Sequence, residues 1–227
     1  MAAENGTTDL VATPHANQEY SFDPGLIEER RQQIEAAAGG AVRLYTGCDF
    51  HLSFDNIEDA IAHPRKYTIN QKNYLLVEFS DLIIFKNTAE IFGRLAEAGM
   101  IPIVTHPERN DLLRQRIEEI AGWVAQGAYL QVTAQSLTGR FGRRAQEFSK
   151  LLLDRRLVHI VASDAHDCEH RPPVMREAHD WLQQRYGQAL AHRLTTGNPG
   201  ATLIGDPLEL PLEEVVSAPR KWYQIWR

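Results

Sequence analysis

The chain has 227 residues, of which 43 % are apolar and 24 % charged, with a formal net charge of -6; this is the make-up of a globular domain large enough to bury a core. The acidic excess argues against a general nucleic-acid binder, whose surface would be basic, and no run approaches the roughly 18 apolar residues of a membrane helix. Two cysteines, Cys48 and Cys168, supply no disulfide framework and suit a reducing cytoplasm, and the opening MAAENGTTDL lacks the basic and apolar regions of a secretory signal.

In chain order, short apolar runs predict buried strands over residues 10–13, 42–46, 74–78, 101–105, 128–132 and 157–162. Helical periodicity fills most of the intervals. A helix over 26–38 follows Pro24 and stops at Gly39-Gly40, and a second over 88–98 stops at Gly99; proline at the start and glycine just past the end suit helix boundaries. Further helices are predicted over 112–125, 143–154 and 174–186. Residues 49–73 are polar and read as an insertion with one short helix near 57–62. From Asn198 onward the chain is Pro-rich, then aromatic and basic (PRKWYQIWR). Strand–helix alternation of this kind predicts an α/β fold with a parallel sheet and crossover helices.

The polar residues gather at the strand ends. The first strand runs into Thr13-Pro14-His15 and the second into Asp49. The third ends at Glu78, and the fourth at His106-Pro107-Glu108-Arg109. The fifth ends at Gln131 and Thr133, and the sixth at Ser163-Asp164-Ala165-His166. In parallel α/β folds ligands bind at the C-terminal ends of the strands, so these groups are expected to converge. Imidazole and carboxylate without thiolate suit Mn²⁺, Fe²⁺ or Zn²⁺, and carboxylates can bridge two metals in a hydrolytic cluster. Asp164 and His166, one residue apart, would point the same way in an extended segment.

Each residue also has a plainer reading. A single histidine after a strand can simply be solvated, and Glu78 or Asp164 can pair with an arginine. The joint pattern favours the metal site. Arg109 and Arg171, just beyond two strand ends, can take a phosphate in a bidentate fork or form surface ion pairs. The segment SLTGRFG leads into a helix, a weak indication of anion binding. A cysteinyl-phosphate mechanism needs Cys, five residues, then Arg, whereas Phe54 and Val174 stand at those positions after Cys48 and Cys168. Neither a P-loop nor a dinucleotide fingerprint is present.

The segments TTDLVATPHANQEY, GCDFHL, NYLLVEFSD, IPIVTHPERN, LQVTAQSLTGRFG and LVHIVASDAHDCEHRPPVMREA resemble the bacterial protein-tyrosine phosphatases of the PHP (polymerase and histidinol phosphatase) superfamily. More narrowly, they resemble its capsule and exopolysaccharide (CpsB/CapC-like) group. The resemblance implies a distorted parallel (β/α) barrel and a three-metal cluster, often manganese. It implies a substrate in the phosphotyrosine tail of a membrane-associated tyrosine kinase that controls polysaccharide synthesis. By position, it makes His15, Asp49, Glu78, His106, Asp164 and His166 metal ligands, and Arg109 and Arg171 phosphate-binding catalytic residues. Asp49 stands where a glutamate is expected, which keeps a carboxylate.

The family opens with a strand bearing His-x-His and an acidic loop. MAAENGTTDL looks like the end of the helix that follows, so a barrel with a gap at its first strand is expected. Residues 1–205 are read as the phosphatase domain and 206–227 as a tail. Two alternatives stay open. One is the same chemistry on a small phosphomonoester such as histidinol phosphate. The other is a metal-poor relative that binds the kinase without hydrolysis. Neither nucleic acid nor membrane insertion is expected.

Overall fold

In the computed structural model, residues 1–210 are described. Eight strands lie in the order β1 (Asp9–Ala12), β2 (His15–Ala16), β3 (Arg43–Thr46), β4 (Asp49–His51), β5 (Tyr74–Glu78), β6 (Ile101–Thr105), β7 (Tyr129–Thr133) and β8 (Ile160–Ala162). Every pairing is parallel. β1 pairs with β3, and a six-stranded sheet runs β2-β4-β5-β6-β7-β8.

The two sheets are one ladder with a bend. Gly47 N–H donates to the Ala12 carbonyl at 2.9 Å and Asp49 N–H to that of Pro14 at 3.1 Å. These bonds carry the pairing of β1–β3 on into β2–β4. Gly47 sits at the bend, where a Cβ would lie 2.9 Å from Val11 Cγ1. Glycine is needed there because the neighbouring strand comes so close.

Alternation along the strands separates two environments. Leu75, Val77, Val104, Leu130, Val132 and Val161 point outward into the core beneath the helices. Leu76, Thr105, Gln131 and Ala162 line the interior. On the outer face Phe79 stacks on Trp123 at 5.3 Å, and Phe92 meets both rings edge-on. Ile69, Tyr74, Ile103, Ile160 and Leu208 close the end opposite the candidate site. Residues 206–210 are strapped across that end: Tyr74 Oη donates to the Asp206 carbonyl at 2.7 Å, and Glu209 N–H to Asn198 Oδ1 at 2.8 Å.

The helices are α1 (Pro24–Ala38), α2 (Phe54–Ala62), α3 (Thr88–Glu97), α4 (Ile117–Ala125), α5 (Ala134–Leu137), α6 (Arg143–Asp154), α7 (Arg176–Tyr186), α8 (Gln188–His192) and α9 (Asn198–Ile204). Asp23 caps α1 and Ser53 caps α2 through side-chain oxygens that accept N-terminal amides, which satisfies otherwise orphan donors. Predicted and observed bounds coincide for β5, β6 and α6. Three departures have physical reasons. The supposed insertion begins with β4, which is short and polar because Asp49 and His51 serve the sheet end. The predicted helix over 112–125 is two pieces, because Arg116 leaves helical geometry (φ -127°, ψ 37°). α8, a π-turn and α9 were not anticipated; Asn198 and Thr202 are buried where an apolar stripe would be looked for.

Among the described residues β8 and β1 have no partner on their outer edges. Between them lies a cleft of about 1150 Å³, bordered by residues 5–14, by 160–166 and by α9. No helix among the described residues is long and apolar enough to cross a membrane. The WYQIWR end lies outside the described residues.

Candidate active site

Strand register builds the first half of the site. His15 pairs across from Asp49, and His51 from Glu78, so neighbouring strand ends carry the three side chains to one level. His15 Nδ1 stands 3.3 Å from Asp49 Oδ2 and 3.4 Å from Glu78 Oε2. His106 Nε2 closes the group from the next strand, 3.8 Å from Asp49 Oδ2 and 3.6 Å from Glu78 Oε1. One ligand atom each from His15, Asp49 and Glu78 fall within 4.8 Å of one another.

The electrostatics follow from this geometry. The carboxylates of Asp49 and then Glu78 push the His15 imidazole up to about 10. Burial opposes ionisation of Asp49, but the imidazoles of His106 and His15 outweigh it and hold the carboxyl below its usual range. Burial likewise pulls His106 down, and its contact with Asp49 reverses the direction. His15 Nδ1 is buried yet makes no directional hydrogen bond. Two carboxylates and two imidazoles, facing each other with an orphaned buried nitrogen, form a donor set that fits a divalent cation.

The second half is built differently. Asp164 follows β8 with φ 50°, and His106 follows β6 with φ 33°. Both occupy the left-handed region that non-glycine residues seldom adopt and that clusters at functional sites. The segment after β8 is therefore not extended as expected, yet His166 Nδ1 still stands 3.8 Å from Asp164 Oδ1, so the two side chains remain neighbours. Asp164 faces Arg109 Nη1 and Arg171 Nη2, both in contact with its Oδ2. His166 turns toward the first half, its ring centroid 5.9 Å from that of His15.

Asp167 Oδ1 accepts the amides of Glu169, His170 and Arg171, which folds the loop that delivers Arg171. All eight residues singled out from the sequence thus stand around one mouth: His15, Asp49, Glu78 and His106 as one group, and Arg109, Asp164 and Arg171 as another, with His166 between them.

Sequence reasoning passed over three supporting residues. Glu108 is fully buried; its Oε1 accepts from Ser136 Oγ at 2.7 Å and Thr133 N–H at 2.9 Å. Burial pushes its carboxyl up. These bonds tie the loop of His106 and Arg109 to the start of α5. Gln135 Nε2 donates to the His170 carbonyl at 3.0 Å and ties the loop of Arg171 to the same helix. Phe141 lies against both guanidiniums, 4.5 Å from Arg109 Cζ and 5.7 Å from Arg171 Cζ. Glu108 in HPER and Phe141 in SLTGRFG were visible as motif members, but nothing in the chain order assigns them these partners.

The family profile for capsular polysaccharide synthesis proteins, CpsB/CapC, matches residues 1–204. The chain belongs to the CpsB/CapC family. It is 31 % identical to the putative tyrosine-protein phosphatase CapC of Staphylococcus aureus, over 99 % of this chain and 89 % of that one. It is 30 % identical to the tyrosine-protein phosphatase YwqE of Bacillus subtilis, over 86 % of this chain and 78 % of that one. A crystal structure from a study of YwqE from Bacillus subtilis and CpsB from Streptococcus pneumoniae, described as unique metal-dependent tyrosine phosphatases, superposes with a TM-score of 0.86 at 29 % identity. It covers 92 % of this chain and 86 % of that one. The CpsB/CapC family thus carries the PHP-type α/β fold that strand–helix alternation and the resemblance implied.

Proposed function

We propose that this CpsB/CapC family member is a metal-dependent protein-tyrosine phosphatase. Its proposed substrate is a phosphotyrosine segment of a bacterial tyrosine kinase in capsular or exopolysaccharide synthesis. The observation that carries the reading is the meeting, at one sheet end, of the His15–Asp49–Glu78–His106 group with two arginines that reach a common oxyanion, the Asp164 carboxylate.

In this reading His15, Asp49, Glu78, His106, Asp164 and His166 hold divalent metal, manganese by preference, with iron or zinc as other fits to the donor set. When bound, the metals supply water activation and neutralisation of phosphate charge. The chain's own residues do the rest. Arg109 and Arg171 take non-bridging phosphate oxygens through their N–H forks and stabilise the charge that develops on them. Glu108 and Gln135 fix the loops of the two arginines, so that orientation is set before substrate arrives. Tyrosinate leaves as a phenolate of ordinary pKa near 10, which asks less of a proton donor than an alkoxide would. No phosphoenzyme is required, in keeping with a Cys48 thiol that burial pushes far above its usual range.

The test is turnover of a phosphotyrosine peptide against histidinol phosphate, with bound metal counted per chain. Preference for the peptide supports the proposal; preference for histidinol phosphate replaces it with the small-phosphomonoester reading. The open edges of β8 and β1 favour one second reading, a relative that binds the kinase tail without hydrolysis. A metal-free chain that still binds the phosphopeptide would support it.

A further inference from the structure

The turn between α5 and α6 makes contacts that the proposed chemistry does not by itself require. Gly139 and Gly142 lie at φ 88° and 86°, positions where a side chain would be strained. Between them Arg140 N–H donates to the Gln135 carbonyl at 2.9 Å, and Gly142 N–H donates to that of Gly139 at 2.9 Å. Gln146 Nε2 holds the Leu137 carbonyl at 2.9 Å from the following helix. Arg140 pairs with Glu177 on α7. The turn is pinned on several sides, and its one aromatic side chain, half-buried, faces the two arginines.

Two guanidiniums brought to one point repel each other, and arginine side chains are long. In the structure Asp164 balances their charge at the N–H edges, while the Phe141 ring lies 4.5 Å from Arg109 Cζ and 5.7 Å from Arg171 Cζ, within the range of cation–π attraction. The negative face of an aromatic ring holds a cation without competing for its N–H donors. That leaves the N–H forks to an oxyanion, the place the Asp164 carboxylate takes in this structure.

We propose that Phe141 is a positioning residue: held in its glycine-flanked turn, it orients Arg109 and Arg171 together so that their forks converge on one phosphate. The inference rests on the reading of those arginines as phosphate-binding.

The test uses the full chain loaded with Mn²⁺, with inorganic phosphate as the binding probe and a phosphotyrosine peptide for kinetics. Phe141→Ala and Phe141→Leu are expected to raise the phosphate Kd and the peptide KM about five- to twentyfold, with kcat changed less than about threefold. Phe141→Tyr and Phe141→Trp should recover wild-type binding to within about twofold, since they keep a ring face. In an Arg109→Ala, Arg171→Ala background, Phe141→Ala should add no further loss. Equal phosphate binding by wild type and Phe141→Ala overturns the proposal, and so does rescue by Leu as complete as by Trp. Wild-type protein that binds no phosphate overturns the arginine reading and this inference together. A thermal midpoint unchanged in Phe141→Leu separates lost positioning from lost fold.

Discussion

The two halves of the site are held by different means. His15, Asp49 and Glu78 sit on or at the ends of adjacent hydrogen-bonded strands, with the core side chains Leu75, Val77 and Val104 behind them. Arg171, Asp164 and His166 ride on a loop after β8, a strand paired on one side among the described residues. That loop is ordered by Asp167, by Gln135 and by the attraction of two arginines to Asp164. A ladder sets position through the backbone whatever the charge state. A loop held by charge keeps its place only while the charges balance. The first half is therefore preassembled, and the second depends on what fills the cleft beside it.

The comparison breaks most severely when a group at the mouth is removed from either half. His106→Ala and Asp164→Ala should each lower phosphotyrosine turnover by more than about 10²-fold, because a misplaced reacting geometry alone costs that much. Metal bound per chain should separate them. His106→Ala empties the preassembled group, whereas Asp164→Ala leaves metal at His15, Asp49 and Glu78. Equal loss of all metal in both variants would show that the halves form a single unit.

The gap between β8 and β1 offers the next largest effect. No His-x-His occurs in the 227 residues, and the second half stands beside the cleft where a further strand would fit. Placing a strand with His-x-His and an acidic loop ahead of Met1 should raise turnover about 10²-fold and increase the metal bound per chain. Full activity without the added strand would show that the loop half is complete as it stands.

Much of this contrast was legible in the sequence, for a reason that shows where legibility stops. β5 and β6 are continuous apolar runs with a polar residue or a Thr-His step at the end, so the strand and its candidate ligand were read together. Asp49 was found although β4 itself was not, because the residue type stood out after the second strand. The loop half resisted. The left-handed φ of Asp164 takes the segment out of the extended form that spacing predicts, and no pattern records a single dihedral angle. Glu108 and Phe141 meet partners 25 or more residues away, contacts that periodicity does not encode.

The charge state of the preassembled half gives a smaller, pH-dependent effect. His15 is raised from an ordinary 6.5 to about 10 by the carboxylates. A raised folded pKa contributes stability that is fully present below 6.5 and is lost as pH rises through about 10. Asp49 is held below its ordinary 3.8, so its contribution is present above that value and is lost as pH falls through the folded pKa. Metal-free protein should therefore show a falling denaturation midpoint from pH 7 to about 10. Metal binding needs a neutral imidazole. Metal affinity should rise over the same window, and loaded protein should lose the alkaline decline. A flat alkaline profile without metal would show that the four groups do not face one another in solution.

The smallest expected effect separates packing from chemistry beside the same strand end. Cys48 is completely buried next to Asp49. Burial pushes its thiol upward, with the Asp49 charge adding to it, so a thiolate nucleophile is withheld at neutral pH. Cys48→Ser replaces a weakly polar group with one that needs a hydrogen-bond partner in an apolar setting. It should lower stability by about 1–3 kcal/mol in denaturant unfolding. Its turnover should stay within about twofold of wild type, since no reacting atom is removed and silent substitutions scatter by about that much. The split between the two readouts is the test. A folded, metal-loaded Cys48→Ser protein without turnover would place the thiol in the reaction and undo the assignment of the chemistry to the carboxylates, imidazoles and arginines.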